Sequence, residues 1–231
     1  MALLLSIETS TSVCSVALHD NSKLISVMEI HQEYSHASKL GLLIKEVMNL
    51  SGVKIEKIGA VAISSGPGSY TGLRIGTSLA KGLCYALNIP LVAVPTLRVL
   101  ATKFANVNTA DALLCPMIDA RRMEVYCQLF DAAMGEVEPI KPLVVEQKSF
   151  EEYLNIKPII FFGNGAMKCS EVITHSNAKF LSDINPSAAE LGQIAGKKLD
   201  KGEVEDLVQF VPHYLKEFFF RKAVESLNEV K

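Results

Sequence analysis

The order of hydrophobic and polar positions in the first thirty residues predicts three strands joined by short turns. Residues 3–7 are apolar, residues 13–19 alternate between apolar and polar, and residues 24–30 are again rich in branched apolar side chains. The small polar runs at 8–12 and 20–22 are typical of tight turns. Because strands joined by short turns pair antiparallel, the protein is expected to open with an antiparallel sheet.

The pattern then changes to helical spacing. One helix is predicted at 37–50, ended by Gly52, and a second at 70–87. Between them, residues 58–63 form a continuous apolar run, which is typical of a strand covered on both faces. Residues 91–94 predict another short strand. The apolar positions of the first helix recur at helical spacing: Leu40, Leu43, Ile44 and Val47.

The second half of the chain repeats this order of elements. Strands are predicted at 113–118 and 124–130, and a third at 159–162 leads into a glycine turn. A helix is predicted at 187–199, capped by Asn185 or Ser187. Two units that each combine hairpin strands, a covered strand, a glycine turn and a helix indicate a duplicated α/β lobe.

Composition narrows the class of protein. The chain has 231 residues, of which 49% are hydrophobic and 21% charged, with a formal net charge of −2. These values indicate a folded globular protein without the basic stripe of a stand-alone nucleic-acid binder, and the adjacent Arg121 and Arg122 are interpreted as surface residues. Five dispersed cysteines predict reduced thiols. The apolar start is too short for a signal peptide and no run has membrane-spanning length, so a cytoplasmic protein without membrane contact is expected.

A glycine-rich loop at 64–69 joins a predicted strand to the second helix. Backbone N–H groups at such a helix start suit an anion or a phosphate. The loop has no following lysine and is not a dinucleotide fingerprint, and a tight turn explains its glycines too, so both interpretations stay open. No cofactor is expected to be required, and binding of ATP or ADP stays open. A vestigial nucleotide site would use these residues: Thr9, Ser10, Gly66, Gly68 and Ser69.

Small residues repeat every four positions along the second helix, at Gly68, Gly72, Gly76 and Ala80. A glycine inside a helix costs about 1 kcal/mol relative to alanine, so this stripe needs a reason. Close approach of another backbone would supply one. That backbone belongs either to a partner or to this same chain, and the sequence leaves the two alternatives open.

The sequence contains no convergent set of titratable side chains for acid–base or metal chemistry. The five histidines are scattered, and the closest pair, His31 and His36, lacks the spacing that would place both on one helix face. The histidines are expected at surface or capping positions. No catalytic residue and no metal ligand is predicted.

Segments from one end of the chain to the other resemble the family of TsaB (YeaZ) proteins. The glycine block at 66–76, which reads GPGSYTGLRIG, is the most specific of them. Tyr70, Lys216 and Arg122-Met123 depart from the residues usual in the family. The matching segments are 5–18, 66–76, 80–83, 118–126, 163–166, 186–188 and 211–216.

The resemblance implies a two-lobed, duplicated α/β fold of the actin/Hsp70/sugar-kinase type (ASKHA, RNase H-like). Residues 1–105 are expected to form the first lobe, completed by 215–231, and residues 106–214 the second. The resemblance also implies a role beside the related enzyme TsaD and the ATPase TsaE, which together modify the adenosine next to the tRNA anticodon. A homodimer is expected when the protein is alone, and contact with tRNA only through the complex.

In this family the two predicted helices form a face that pairs with TsaD or with a second TsaB copy. The resemblance therefore implies an interface along the small-residue stripe of the second helix, while the apolar edge of the first helix either joins it or packs inward. The residues assigned to this interface are Leu40, Leu43, Val47, Gly72, Leu73, Gly76, Thr77 and Ala80.

The resemblance also implies that catalysis is lost. In TsaD-like chains an Asp of an acidic pair faces the cleft where this chain has Ser12, and a metal-binding His-x-x-x-His occupies the positions of Thr96 and Leu100. Leucine cannot ligate a metal and threonine does not replace imidazole. Two alternatives remain: an enzyme, either a metal-dependent glycoprotease or a sugar-kinase-like ATPase, and a nucleotide-binding sensor module.

Overall fold

The computed structural model describes residues 3–104 and 111–215, which form two five-stranded sheets with helices against them. The elements of the first half are β1 (Leu3–Glu8), β2 (Val13–Asp20), β3 (Lys23–His31), α1 (His36–Ser51), β4 (Ile58–Ser64), α2 (Tyr70–Leu87), β5 (Leu91–Val94) and α3 (Thr96–Thr102). Those of the second half are β6 (Leu113–Asp119), β7 (Glu124–Phe130), β8 (Glu136–Val144), α4 (Glu151–Leu154), β9 (Ile159–Phe162), β10 (Ala178–Leu181) and α5 (Ala188–Asp200).

The first sheet has the order β3-β2-β1-β4-β5, with antiparallel pairing on one side of β1 and parallel pairing on the other. Helices α1 and α2 cover one face, where Leu5 and Val61 belong to a core shared with both helices. Helix α5 covers the other face, where Leu4 packs with Leu191. Because both faces are covered, the polar as well as the apolar positions of β2 are buried.

The second sheet has the order β10-β9-β6-β7-β8. Strands β6, β7 and β8 pair antiparallel. On the other side of β6, β9 and β10 are added in parallel, as β4 and β5 are added beside β1 in the first sheet. The two sheets therefore have the same topology. The predicted duplicated α/β fold is confirmed.

Helix α5 packs on the first sheet although it follows the strands of the second. Its cap is Ser187, one of the two predicted residues, whose hydroxyl accepts a hydrogen bond from the backbone N–H of Ala189 at 3.1 Å. After α5, two backbone hydrogen bonds join the chain to the first lobe. The N–H of Glu205 donates to the carbonyl of Leu91, and the N–H of His213 donates to the carbonyl of Ser65. We therefore propose that the first lobe also includes 187–213. The other predicted lobe limits stay predictions, and residues 216–231 lie outside the described residues.

The five cysteines are buried and form no disulfide, and all five lie inside the two large hydrophobic cores. Burial raises the pKa of the Cys14 and Cys84 thiols to about 11. In the described part of the chain, no helix is both long and apolar enough to cross a membrane.

Candidate functional site

A cleft of about 770 Å³ lies between the two lobes, within the range of small-molecule sites. Its first wall is built by the β1–β2 turn and the start of α2, and its second by the β6–β7 turn and Asn164. The polar residues that line it include Ser10, Thr11, Ser12, Ser69, Asp119 and Arg121.

Hydrogen bonds to β1 and to the start of α2 hold the β1–β2 turn in place. The backbone N–H of Ser10 donates to Glu8 Oε1 at 2.7 Å, and the carbonyl of Ser10 accepts from the N–H of Ser69 at 2.7 Å. The Thr9 hydroxyl donates to the carbonyl of Gly72 at 2.9 Å, so it contacts α2 and not the cleft. Of the two predicted turn residues, only Ser10 lines the cleft, and it is 1% exposed.

The glycines at the start of α2 make room for this turn. A Cβ at Gly68 would overlap with the backbone of Ser10, and one at Gly72 or Gly76 would overlap with Thr9. Upstream, Gly66 has a φ of 102°, which a side chain rarely permits. The backbone that approaches the glycine stripe therefore belongs to this same chain, which decides between the two alternatives that the sequence left open.

The residues assigned to a partner interface are inside the protein. All eight are buried: Leu40, Leu43, Val47, Gly72, Leu73, Gly76, Thr77 and Ala80. The apolar edge of α1 packs inward against the first sheet, and the small residues of α2 contact the β1–β2 turn. In this structure these side chains form core, so the interface assignment needs correction.

The second wall of the cleft depends on Lys168. Its ammonium group pairs with Asp119 and donates to the carbonyls of Arg122 and Glu124, at 2.7 and 2.6 Å. These bonds hold the β6–β7 turn, in which Arg121 and Arg122 both have positive φ, 70° and 49°. Arg121 lines the cleft, although from the sequence it was interpreted only as a surface residue. Its place between two predicted strands was the signal that could have found it.

Aromatic residues lie at the mouth of the cleft. The rings of Tyr70 and Tyr214 are 4.8 Å apart, and the guanidinium of Arg74 lies 4.1 Å from the centre of the Tyr70 ring. Tyr34, beside them in the cleft lining, is 97% exposed. Stacking of this kind is available to flat ligands, and sequence reasoning did not identify it.

Comparison with known proteins identifies the family. The family model TsaD: tRNA N6-adenosine threonylcarbamoyltransferase matches residues 25–221. The tRNA threonylcarbamoyladenosine biosynthesis protein TsaB of Bacillus subtilis is 30% identical over 221 residues, which cover 92% of this chain and 93% of that protein. The chain belongs to the TsaB family.

Other TsaB relatives agree. TsaB of Escherichia coli is 35% identical over 123 residues, covering 53% of this chain and 52% of the relative. The solved structure of YeaZ from Pseudomonas aeruginosa has a TM-score of 0.77 at 26% identity and covers 93% of this chain and all of that one. A second structure from the same organism, described as similar to peptidase YEAZ, has a TM-score of 0.83 at 27% identity, covering 94% and 100%. The two-lobed fold is thus the fold of TsaB (YeaZ).

The positions at which the resemblance implies a departure from TsaD-like chains lie in two different environments. Ser12 is exposed and lines the cleft. Thr96 and Leu100 are fully buried in α3. Within residues 3–104 and 111–215, no three histidine, cysteine, aspartate or glutamate side chains are grouped to hold a metal ion.

Two histidines of the TsaB-family chain are buried, where surface or capping positions were expected. His19 Nε2 lies 3.0 Å from the carbonyl of Ala189, and His36 Nε2 lies 2.9 Å from the carbonyl of Thr11. Each ring therefore joins two elements as a hydrogen-bond donor. Burial lowers the pKa of His19, which favours the neutral form of its ring in the folded protein.

Helices α1 and α2 also have an outer surface, and it carries large apolar side chains. Leu42 is 54% exposed, Leu50 74% and Tyr85 83%. Leu42 and Tyr85 lie on the sides of their helices away from the buried residues, whereas Leu50 follows the buried stripe of Leu43 and Val47 and is exposed at the end of α1. We call Leu42 and Tyr85 the outer helical face.

Proposed function

We propose that this chain is a non-catalytic subunit in the biosynthesis of threonylcarbamoyladenosine on tRNA, and that it supports TsaD. The proposal rests first on membership of the TsaB family, whose relatives are named for this pathway. The observation that carries the non-catalytic role is the burial of Thr96 and Leu100. The resemblance implies that metal-binding histidines stand at these two positions in TsaD, and here both side chains are enclosed in the protein core.

The outer helical face supports a partner on the α1–α2 side. Large exposed apolar side chains favour protein contacts, and aromatic residues such as Tyr85 contribute more than most to such interfaces. We propose that this face binds TsaD and, when TsaD is lacking, a second copy of the chain. TsaE joins the same assembly, tRNA is contacted through the complex, and the assembly is cytoplasmic.

Light scattering after size-exclusion chromatography tests this assignment. The protein alone is expected to elute as a dimer, and an equimolar mixture with TsaD from the same organism as a one-to-one complex. An assay of threonylcarbamoyl transfer to tRNA should then depend on this chain when TsaD, TsaE and threonylcarbamoyl-adenylate are supplied. A chain that remains separate from TsaD, or that transfers the group alone, would contradict the proposal.

A nucleotide-binding module is a second candidate, and the cleft favours it. Ser12 is exposed on the first wall of the cleft, and Arg121 lines the second wall. A hydroxyl and a guanidinium on facing walls suit a phosphate. Calorimetric titration with ATP and ADP tests this candidate, with Arg121→Ala expected to weaken binding at least tenfold. Heat changes equal to those of dilution would reject it.

A further inference from the structure

Residues 201–215 follow α5 and form turns and one bridge, with no helix or strand. The bridge pairs Glu205 with Leu91, the first residue of β5. Further along, the N–H of His213 donates to the carbonyl of Ser65, just after β4, at 2.7 Å. We call residues 205–215 the strap. It connects the start of β5 with the glycine loop that precedes α2.

A turn in the strap is closed by Asp206. Its Oδ1 accepts from the N–H of Val208 at 2.8 Å and from that of Gln209 at 2.9 Å. Its carbonyl accepts from the N–H of Phe210, also at 2.9 Å. An aspartate at the start of a turn commonly makes such bonds to the backbone that follows it. The turn is therefore held closed by bonds within itself.

Lys81 of α2 fastens this turn to the helix. Its ammonium group donates to the carbonyl of Val208 at 3.2 Å and to the carbonyl of Phe210 at 3.1 Å. Hydrogen bonds from a charged donor are stronger than those between neutral groups. Lys81 is therefore a specific attachment point between α2 and the strap.

Apart from such attachments, the strap is a surface segment. Among residues 205–215 only Pro212 is buried, and Val208 is 81% exposed. Leu207 and Phe210 are partly buried against the core of the first lobe. Segments with few buried apolar contacts and exposed hydrogen bonds open locally without unfolding of the whole protein. This composition favours local detachment of the strap while the sheets stay folded.

The last residues of the strap form part of the cleft rim. Residues 213–215 line the cleft, and the ring of Tyr214 lies 4.8 Å from that of Tyr70. Only residues 211–212 separate this end from Phe210, and the ring of Pro212 restricts the backbone there. A displacement of the turn is therefore transmitted to Tyr214.

We propose that the strap is a releasable link between α2 and the cleft rim, with Lys81 as its catch. While Lys81 bonds to the two carbonyls, Tyr214 stays against Tyr70, and when these bonds are lost the rim opens. Lys81 and Tyr85 lie one turn apart on α2. A carboxylate of a partner bound at the outer helical face would therefore compete with the carbonyls for Lys81. This last step rests on the proposed function, whereas the strap and its catch do not.

Hydrogen–deuterium exchange of the full chain, read by mass spectrometry, tests the catch. Lys81→Met keeps an aliphatic stem and removes the charged donor. It is expected to speed exchange in the strap about tenfold, as loss of hydrogen bonds to a charged group predicts, while β1 and β4 remain protected. Lys45→Met, at an exposed position of α1, should leave exchange in the strap unchanged. Asp206→Ala serves if Lys81→Met does not fold, because it opens the same turn from within.

Tyr214→Trp reports on the rim, since the chain has no tryptophan of its own. In this background Lys81→Met should shift the indole emission to longer wavelength and increase its quenching by acrylamide. Unchanged exchange in the strap would overturn the proposal. Faster exchange with unchanged emission would also overturn it, because the rim would then be independent of the catch. Equal acceleration throughout the first sheet would overturn it as well, since the strap would open only with the whole lobe.

Discussion

Thr9 donates its hydroxyl hydrogen to the carbonyl of Gly72 at 2.9 Å, and Gly72 has no side chain that would prevent this approach. One contact therefore connects the β1–β2 turn to the first turn of α2. The stripe of small residues, which resembles a docking groove in the sequence, is filled by the protein's own turn. Substitutions in the stripe and on the outer helical face therefore separate this internal role from binding of a partner.

Gly76→Ala is expected to destabilise the chain by about 1–3 kcal/mol, the usual range for an overpacked core. The new methyl group would overlap with Thr9 and press on Ile63. Gly82→Ala is the matched control on the same helix, because a Cβ there would meet no atom within 4 Å outside the neighbouring helix backbone. It should stabilise the chain by up to about 1 kcal/mol through helix propensity. Urea unfolding measures both, and equal stability of the two variants would contradict the internal role of the stripe.

Leu42→Asp is expected to weaken binding to TsaD about thirtyfold, which corresponds to about 2 kcal/mol for an interface residue. Its exposed side chain does not hold the core, so the melting temperature should change little. Val144→Asp on the second lobe, 61% exposed, is the control and should leave affinity unchanged. Biolayer interferometry with immobilised TsaD gives the two dissociation constants. Weakening by Val144→Asp alone would place the interface on the other lobe.

Stability should fall as the pH drops below about 6.5, the ordinary pKa of histidine in an unfolded chain. Burial lowers the pKa of His19 in the folded protein, so the unfolded state takes up a proton that the folded state does not. One such group gives a slope of at most about 1.4 kcal/mol per pH unit. In His19→Gln, whose amide can still donate to Ala189, the slope should diminish. His31→Gln, an exposed position, should retain it.

Ser187→Ala should cost about 1 kcal/mol, since it removes the hydroxyl that accepts from Ala189 at the start of α5. Ser182→Ala, at an exposed loop position outside any helix, should change stability by less than about 0.5 kcal/mol. Guanidinium unfolding monitored by circular dichroism compares the two. A loss at Ser187 no larger than that at Ser182 would argue against the cap.

The elements with a clear apolar pattern could be predicted from the sequence, whereas β8 and α3 could not. The helix at Tyr70–Leu87 has the predicted limits. Its apolar stripe marks the buried side in the sequence, and the glycine loop marks its start. Strand β8 was not predicted because Pro139 and Pro142 weaken any strand pattern. At the edge of a sheet, prolines are tolerated because the unpaired side needs no donor. Helix α3 has only seven residues, too few for a periodic pattern.

The candidate site was only partly predictable for a related reason. The turn at Thr9 and Ser10 and the glycine loop were identified because small polar residues mark turns in the sequence. Whether the glycine stripe contacts its own chain or a partner depends on tertiary approach, which spacing along one helix does not determine. Arg121 enters the cleft through a left-handed turn held by Lys168, 47 residues further along the chain. Such long-range contacts leave no local pattern.

The buried cysteines also make the protein convenient for site-specific labelling. None of the five thiols is at the surface, and burial raises the pKa of Cys14, Cys84 and Cys169 to about 11, so little thiolate forms at neutral pH. A maleimide dye would therefore react with a single cysteine introduced at an exposed position and spare the native ones. Fluorophores attached in this way to each lobe would report the width of the cleft in the intact, otherwise unmodified chain.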